Sequence, residues 1–151
     1  MDLFIGSSQI AFWPLPKTAV VKRVHFSREL FDKRLPIHKN VGRIVIYCGS
    51  NDILRGIDPI ENILRFVDLL VETYPASEII VLGILKSPRA FKFHDVITRA
   101  NHRLKRGLPE KVRFLNLNRS LVHPKYYRED GLHLNMDGYY VWERAIWGSN
   151  V

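Results

Sequence analysis

The feature that most constrains this chain is its alternation of short apolar runs with stretches of helical period. Residues 2–5, ahead of Gly6, read as a first strand. AVVKRV (19–24), RIVIYC (43–48), EIIVLGI (78–84) and VRFLNL (112–117) follow as further β-branched or apolar runs. The runs at 43–48 and 78–84 are apolar enough to be buried on both faces, as parallel strands are. The clearest helix opens at DPIE, with Asp58 as N-cap, Pro59 at the first helical position and Glu61 three residues after the cap. Ile60, Ile63, Leu64, Val67, Leu70 and Val71 then share one helix face, and the segment ends near YPAS. The spacing predicts a second helix over 90–106, closing at Arg106-Gly107 with Pro109 beyond, and a third over 136–147. SRELFDKRL predicts a short helix stopped by Pro36. Strands that alternate with helices pair in parallel through right-handed crossovers, so the expected product is an α/β fold, a three-layer α/β/α sandwich. At 151 residues it fits a single domain, 1–151. The pattern alone leaves the strand order open.

Parallel topology has a chemical consequence, because every strand ends at the same edge of the sheet, where open α/β folds hold their ligands. Three segments should meet there: GSS at 6–8, CGSND at 48–52 and the loop YYREDGLHLN at 126–135. Together they hold what acyl transfer needs. Ser8 or Ser7 offers a hydroxyl nucleophile, His133 a base, Asp130 a carboxylate to orient the imidazole, and Asn51 an amide donor for an oxyanion. Each has a plainer reading. Ser7 or Ser8 can cap the helical segment QIAFW. Asn51-Asp52 after Gly49 can be a turn or a helix start, and Asp130 and His133 an ordinary loop pair. In favour of the chemical reading, Asp-Gly-Leu-His sets carboxylate and imidazole three residues apart around a flexible Gly131, so the carboxylate can fold back onto the ring.

These residues resemble the SGNH hydrolases, also called GDSL esterases and lipases. The family's first block, commonly Gly-Asp-Ser but often Gly-Ser-Ser, matches Gly6-Ser7-Ser8. Its third, Gly-x-Asn-Asp, matches Gly49-Ser50-Asn51-Asp52, and its fifth, Asp-x-x-His, matches Asp130-Gly131-Leu132-His133. The resemblance implies a flavodoxin-like five-stranded sheet in order 2-1-3-4-5 and a serine esterase with Ser8, His133 and Asp130 as catalytic triad. It implies an oxyanion hole from the Asn51 side chain, the Ser8 backbone N–H and a third donor, and neither metal nor organic cofactor. The third donor is where the sequence departs from the family. The second block usually carries a glycine, whereas here it reads KRVHFSREL, with no glycine between Gly6 and Gly42. The backbone N–H of Val24, His25 or Phe26 is the expected substitute. Ser87-Pro88-Arg89 resembles a proline-containing loop that would line the substrate pocket, and it is equally a plain strand-to-helix turn.

Charge bears on the substrate. The formal net charge is +8, and residues 86–128 hold 12 Lys and Arg against 2 Asp and Glu. Such an excess attracts nucleic acid, acidic glycans, lipid head groups or an acyl carrier, or it is a solvated surface. Two function classes follow. One is an esterase for short acyl or O-acetyl esters, of a small molecule or glycan and with the charge favouring an anionic one. The other is a catalytically weakened scaffold that binds polyanions such as nucleic acid. His25, His38, His94, His102 and His123 lack the spacing of metal ligands. Cys48, the one cysteine, reads as a small core residue, and Trp13, Trp142, Trp147, Tyr139 and Tyr140 as core or pocket wall. No apolar run reaches membrane-spanning length, and no signal-peptide pattern opens the sequence. A cytoplasmic location is therefore the expectation.

Overall fold

The computed structural model describes residues 1–32, 34–36 and 40–148, so Lys33 and His38 lie outside the described residues. Five strands form one parallel sheet: β1 (Asp2–Gly6), β2 (Val20–Arg23), β3 (Arg43–Tyr47), β4 (Glu78–Leu82) and β5 (Arg113–Leu115). Their order is β2-β1-β3-β4-β5, as the resemblance implies.

Alternation along the strands builds two cores. Leu3, Ile5, Ile44, Ile46, Ile79 and Val81 point to one face, where α3 (Ile60–Thr73) and α4 (His94–Gly107) bring Ile63, Phe66, Leu70, Ile97 and Leu104. Phe4, Val45, Tyr47, Ile80 and Leu82 point to the other, against Ile10 of α1 (Ser8–Ala11) and Tyr139, Trp142 and Ile146 of α6 (Met136–Trp147). Because side chains on a strand alternate in direction, each central strand is sealed on both sides, which gives the three-layer sandwich. Between β3 and α3 lies α2 (Ser50–Leu54), and after β5 comes α5 (Asn118–Leu121).

Several element boundaries differ from the sequence reading, for local reasons. The expected helix over 90–106 is a 3₁₀ segment, Pro88–Phe93, followed by α4. Its first turn is held by an i→i+3 bond from Ala90 N–H to the Ser87 carbonyl, and Arg89 N–H leaves the helix altogether to reach the Gly131 carbonyl. SRELFDKRL contributes a 3₁₀ turn at Ser27–Asp32, where Glu29 folds back to accept the Phe26 N–H at 2.7 Å. Helix α3 starts at Ile60, one residue later than DPIE suggests, yet Asp58 still caps it by accepting the Ile60 N–H at 3.0 Å.

Gly6 is required by close approach. A Cβ built there would lie 2.0 Å from the Tyr47 carbonyl oxygen on the neighbouring strand. Backbone cannot yield as a side chain can, so Gly6→Ala must push β1 from β3. The expected cost is about 3 kcal/mol of unfolding free energy, read from urea denaturation. An unchanged midpoint would contradict this packing.

Candidate active site

At the C-terminal edge of the sheet the three expected segments converge. Ser7 N–H donates to the Tyr47 carbonyl at 3.1 Å, which fixes the turn out of β1. Ser7 is buried at the N-cap of α1 without a side-chain cap bond, and Ser8 is the helix's first residue. The two readings of GSS are thus compatible: the segment starts a helix turn, and it is the Ser8 hydroxyl that faces the loop after β5. Ser8 Oγ lies 2.7 Å from His133 Nε2, and His133 Nδ1 lies 2.5 Å from Asp130 Oδ2.

Asp130 is held as firmly as it holds. Its other oxygen accepts the backbone N–H groups of Leu132 (2.9 Å) and His133 (3.0 Å). Gly131, at φ +66°, supplies the left-handed turn that lets the chain fold back. Partial burial raises the Asp130 carboxyl, but the hydrogen bonds from the His133 ring and from the two N–H groups outweigh it and bring it down to about 2. A folded value below the ordinary 3.8 means that the carboxylate's stabilising contribution is complete above that value and is lost as pH falls through about 2. Its carboxyl ¹³C resonance is therefore expected to titrate near pH 2; a midpoint at 3.8 or above would show the bonds to His133 and Leu132 to be absent in solution.

One residue that sequence reasoning missed joins the two halves of this arrangement. Gln9, 4% exposed, donates from Nε2 to the Leu132 carbonyl at 2.6 Å and accepts the Leu134 N–H on Oε1 at 3.0 Å. Its side chain thereby brackets His133 on both sides, and its own carbonyl accepts the Tyr139 hydroxyl at 2.6 Å. The available signal was an uncharged polar residue on the apolar side of QIAFW, directly after Ser8.

On the opposite flank, Asn51 Nδ2 donates to the His25 carbonyl at 2.8 Å and lies 3.3 Å from His25 Nδ1. Asp52, 2% exposed, accepts the Ser27 N–H at 2.9 Å and the Ser27 hydroxyl at 2.7 Å, which ties the loop after β2 to the start of α2. Of the expected donors in that loop, Val24 does not serve: its N–H continues the sheet ladder to the Gly6 carbonyl at 2.8 Å. Phe26 N–H goes to Glu29. His25 N–H has no acceptor among the described residues, and Ser8 N–H, in the first turn of α1, has none within its helix.

Ser87-Pro88-Arg89 lies against the Asp130–His133 loop. Ser87 is buried, its carbonyl 2.9 Å from His94 Nε2, and Arg89 N–H donates to the Gly131 carbonyl at 2.9 Å. In this geometry the segment buttresses the loop's turn. Cys48 is buried, and that burial, with the Asp52 charge, pushes its thiol far above the ordinary range, which makes it inert. Trp13, Tyr139 and Trp142 are core residues, Trp147 packs against that core, and Tyr140 is half exposed. Among the described residues, no three His, Cys, Asp or Glu side chains gather as metal ligands, and no helix is long and apolar enough to cross a membrane.

Neither a protein-family model nor a curated protein matches the chain. Solved structures do. A Streptococcus pneumoniae protein named for platelet activating factor superposes with TM-score 0.80 at 22% identity, over 96% of this chain and 81% of its own. A protein of the lipolytic G-D-S-L family from Veillonella parvula gives 0.69 at 13% identity, over 99% and 98%. The chain has the SGNH hydrolase fold. A mutant of Axe2, an acetyl-xylooligosaccharide esterase from Geobacillus, gives TM-score 0.69 at 17% identity, over 96% and 91%. Two further Axe2 structures are of catalytic mutants in which a serine or a histidine is replaced by alanine.

Proposed function

We propose that this protein is a serine esterase acting on short acyl or O-acetyl esters through an acyl-enzyme. The observation that carries the reading is the continuous chain of hydrogen bonds from Ser8 Oγ through His133 to Asp130 at the sheet edge. His133 Nε2 takes the Ser8 proton as Oγ attacks the acyl carbonyl, and then gives it to the departing alcohol oxygen. Water, deprotonated by the same nitrogen, attacks the acyl-Ser8 carbonyl, and collapse of that second tetrahedral adduct releases the acid and returns the proton to Oγ. Asp130 keeps the imidazole in the tautomer whose Nε2 is free to accept. The developing oxyanion is assigned to Ser8 N–H, to His25 N–H and to the Asn51 amide hydrogen not given to the His25 carbonyl. None of these steps calls for a metal or organic cofactor.

The esterase and lipolytic names among the solved neighbours support this assignment, and Axe2 favours an acetylated carbohydrate as the kind of substrate to try first. The basic excess over residues 86–128 supports the second reading, a polyanion-binding scaffold. One assay separates the two. Wild-type protein should hydrolyse p-nitrophenyl acetate at a rate insensitive to salt; no turnover, together with nucleic-acid binding that weakens steeply with salt, would favour the scaffold.

A further inference from the structure

We infer that the site selects esters whose leaving group carries an anion, held by the guanidinium groups of Arg23 and Arg128 beside Phe12. The inference rests on the esterase reading and adds the charge of the substrate and the residues that read it. Arg23 lies outside the basic stretch 86–128, so charge counting does not find it.

Both arginines are placed by backbone that also places the proposed catalytic groups. Arg23 is the last residue of β2 and pairs in register with Gly6, two residues before Ser8. Arg128 N–H donates to the His133 carbonyl at 2.8 Å, next to the antiparallel bridge between Tyr127 and Leu134. From these positions both side chains converge on one ring: the Arg23 guanidinium carbon is 5.8 Å, and that of Arg128 5.3 Å, from the centre of Phe12. Phe12 is 40% exposed and meets the His133 ring edge-on, with centroids 4.8 Å apart.

Gathering two like charges at an exposed aromatic ring is unfavourable unless something offsets it. The ring offsets part, since cation–π contact is a weak attraction at the surface. Carboxylates do not supply the rest. Among the described residues the arginine ion pairs are those of Arg43, Arg103 and Arg113, and neither Arg23 nor Arg128 has one. The carboxylates around the site have other partners: Asp130 takes the His133 ring, Glu29 the Phe26 N–H, and Glu143 the Trp13 indole N–H. Glu129, adjacent to Arg128, is exposed and forms no ion pair there. Two exposed guanidinium groups at one ring, with no ion pair among the described residues, are free to take a carboxylate or phosphate. Phe12 touches the imidazole that protonates the departing alcohol, so the anion belongs on the leaving-group side.

The test compares 4-acetoxybenzoate with its neutral methyl ester, each kcat/KM being divided by the spontaneous hydrolysis rate. The charged-to-neutral ratio is expected to fall roughly fivefold in Arg23→Gln or Arg128→Gln and more than about tenfold in the double variant. In the wild type it should fall as salt rises. Arg106→Gln, in the last turn of α4 near the opposite edge of the sheet, removes the same net charge and should leave the ratio unchanged. A ratio unaltered in the double variant, or altered equally by Arg106→Gln, overturns the inference. Binding of 4-hydroxybenzoate to the Ser8→Ala protein, followed by amide chemical shifts, separates this outcome from failure of the esterase reading. If the wild type cleaves neither ester but the compound binds and that binding is lost with Arg23 and Arg128, the anion site stands and only the reaction falls.

Discussion

The Ser8→Ala and His133→Ala proteins are expected to cleave p-nitrophenyl acetate about 10⁴-fold or more slowly than the wild type. The losses should not add in the double variant, because the two side chains act as one unit through the 2.7 Å Ser8–His133 contact. Asp130→Asn should cost about 10⁴-fold as well, although it preserves shape, since an amide that donates to Nδ1 would place the imidazole proton on Nε2 and leave nothing to accept from Ser8. Ser8 is only partly buried and its hydroxyl supports no packing, so the serine variant should unfold at nearly the wild-type temperature. Loss of activity alongside an unchanged melt is the expected signature. Substantial turnover surviving either substitution would remove Ser8 and His133 from the chemistry.

The second large effect is expected at Gln9, whose side chain hydrogen-bonds to neither the Ser8 nor the His133 side chain. Gln9→Ala leaves the buried Leu134 N–H without its partner, at about 1 to 3 kcal/mol, and the part-buried Leu132 carbonyl without its donor, at less. The same change frees the peptide groups on both sides of His133. A displacement of about 1 Å costs on the order of 10²-fold in rate, so kcat should fall by about that factor at temperatures where the variant is fully folded, with KM changed less. Gln9→Glu is the informative companion, because it retains the acceptor for Leu134 N–H and removes the donor to the Leu132 carbonyl. With a carboxylate oxygen set against the Leu132 carbonyl in a buried position, its kcat at neutral pH should fall at least as far as that of Gln9→Ala. If Gln9→Ala lowers stability and leaves kcat intact, the residue is a core bond and does not position the imidazole.

These two cases show which parts of the molecule could be read from its sequence. The layers were legible because strand and helix periods differ: Ile44, Ile46, Val45 and Tyr47 alternate between two cores, whereas Ile60, Ile63, Val67 and Leu70 keep to one side of α3. Ser8, Asn51 and His133 were legible as residue types at strand ends, since parallel topology sends every such end to one edge. What was not legible depends on distant partners. The bonding of Gln9 is set by residues more than a hundred positions away. Whether Val24 has a free N–H depends on the Gly6 carbonyl of the neighbouring strand, which no spacing rule reveals, whereas the Phe26 N–H goes to Glu29 three residues on, in capping-box spacing. The bond from Arg89 N–H to the Gly131 carbonyl, which ties Pro88–Phe93 to the loop after β5, is likewise hidden from spacing. That Arg23 and Arg128 both reach the Phe12 ring was not legible either, because nothing in the sequence relates the end of β2 to the loop after β5.

Covalent capture of the hydroxyl reports on the Ser8 nucleophile itself. Wild-type protein treated with a fluorophosphonate, then digested and mapped by mass spectrometry, should carry one phosphonyl group, on Ser8. The His133→Ala protein should label far more slowly and Ser8→Ala not at all. A wild type that turns over ester while Ser8 stays unlabelled, or labelling of Ser8 that proceeds equally well without His133, would contradict the account.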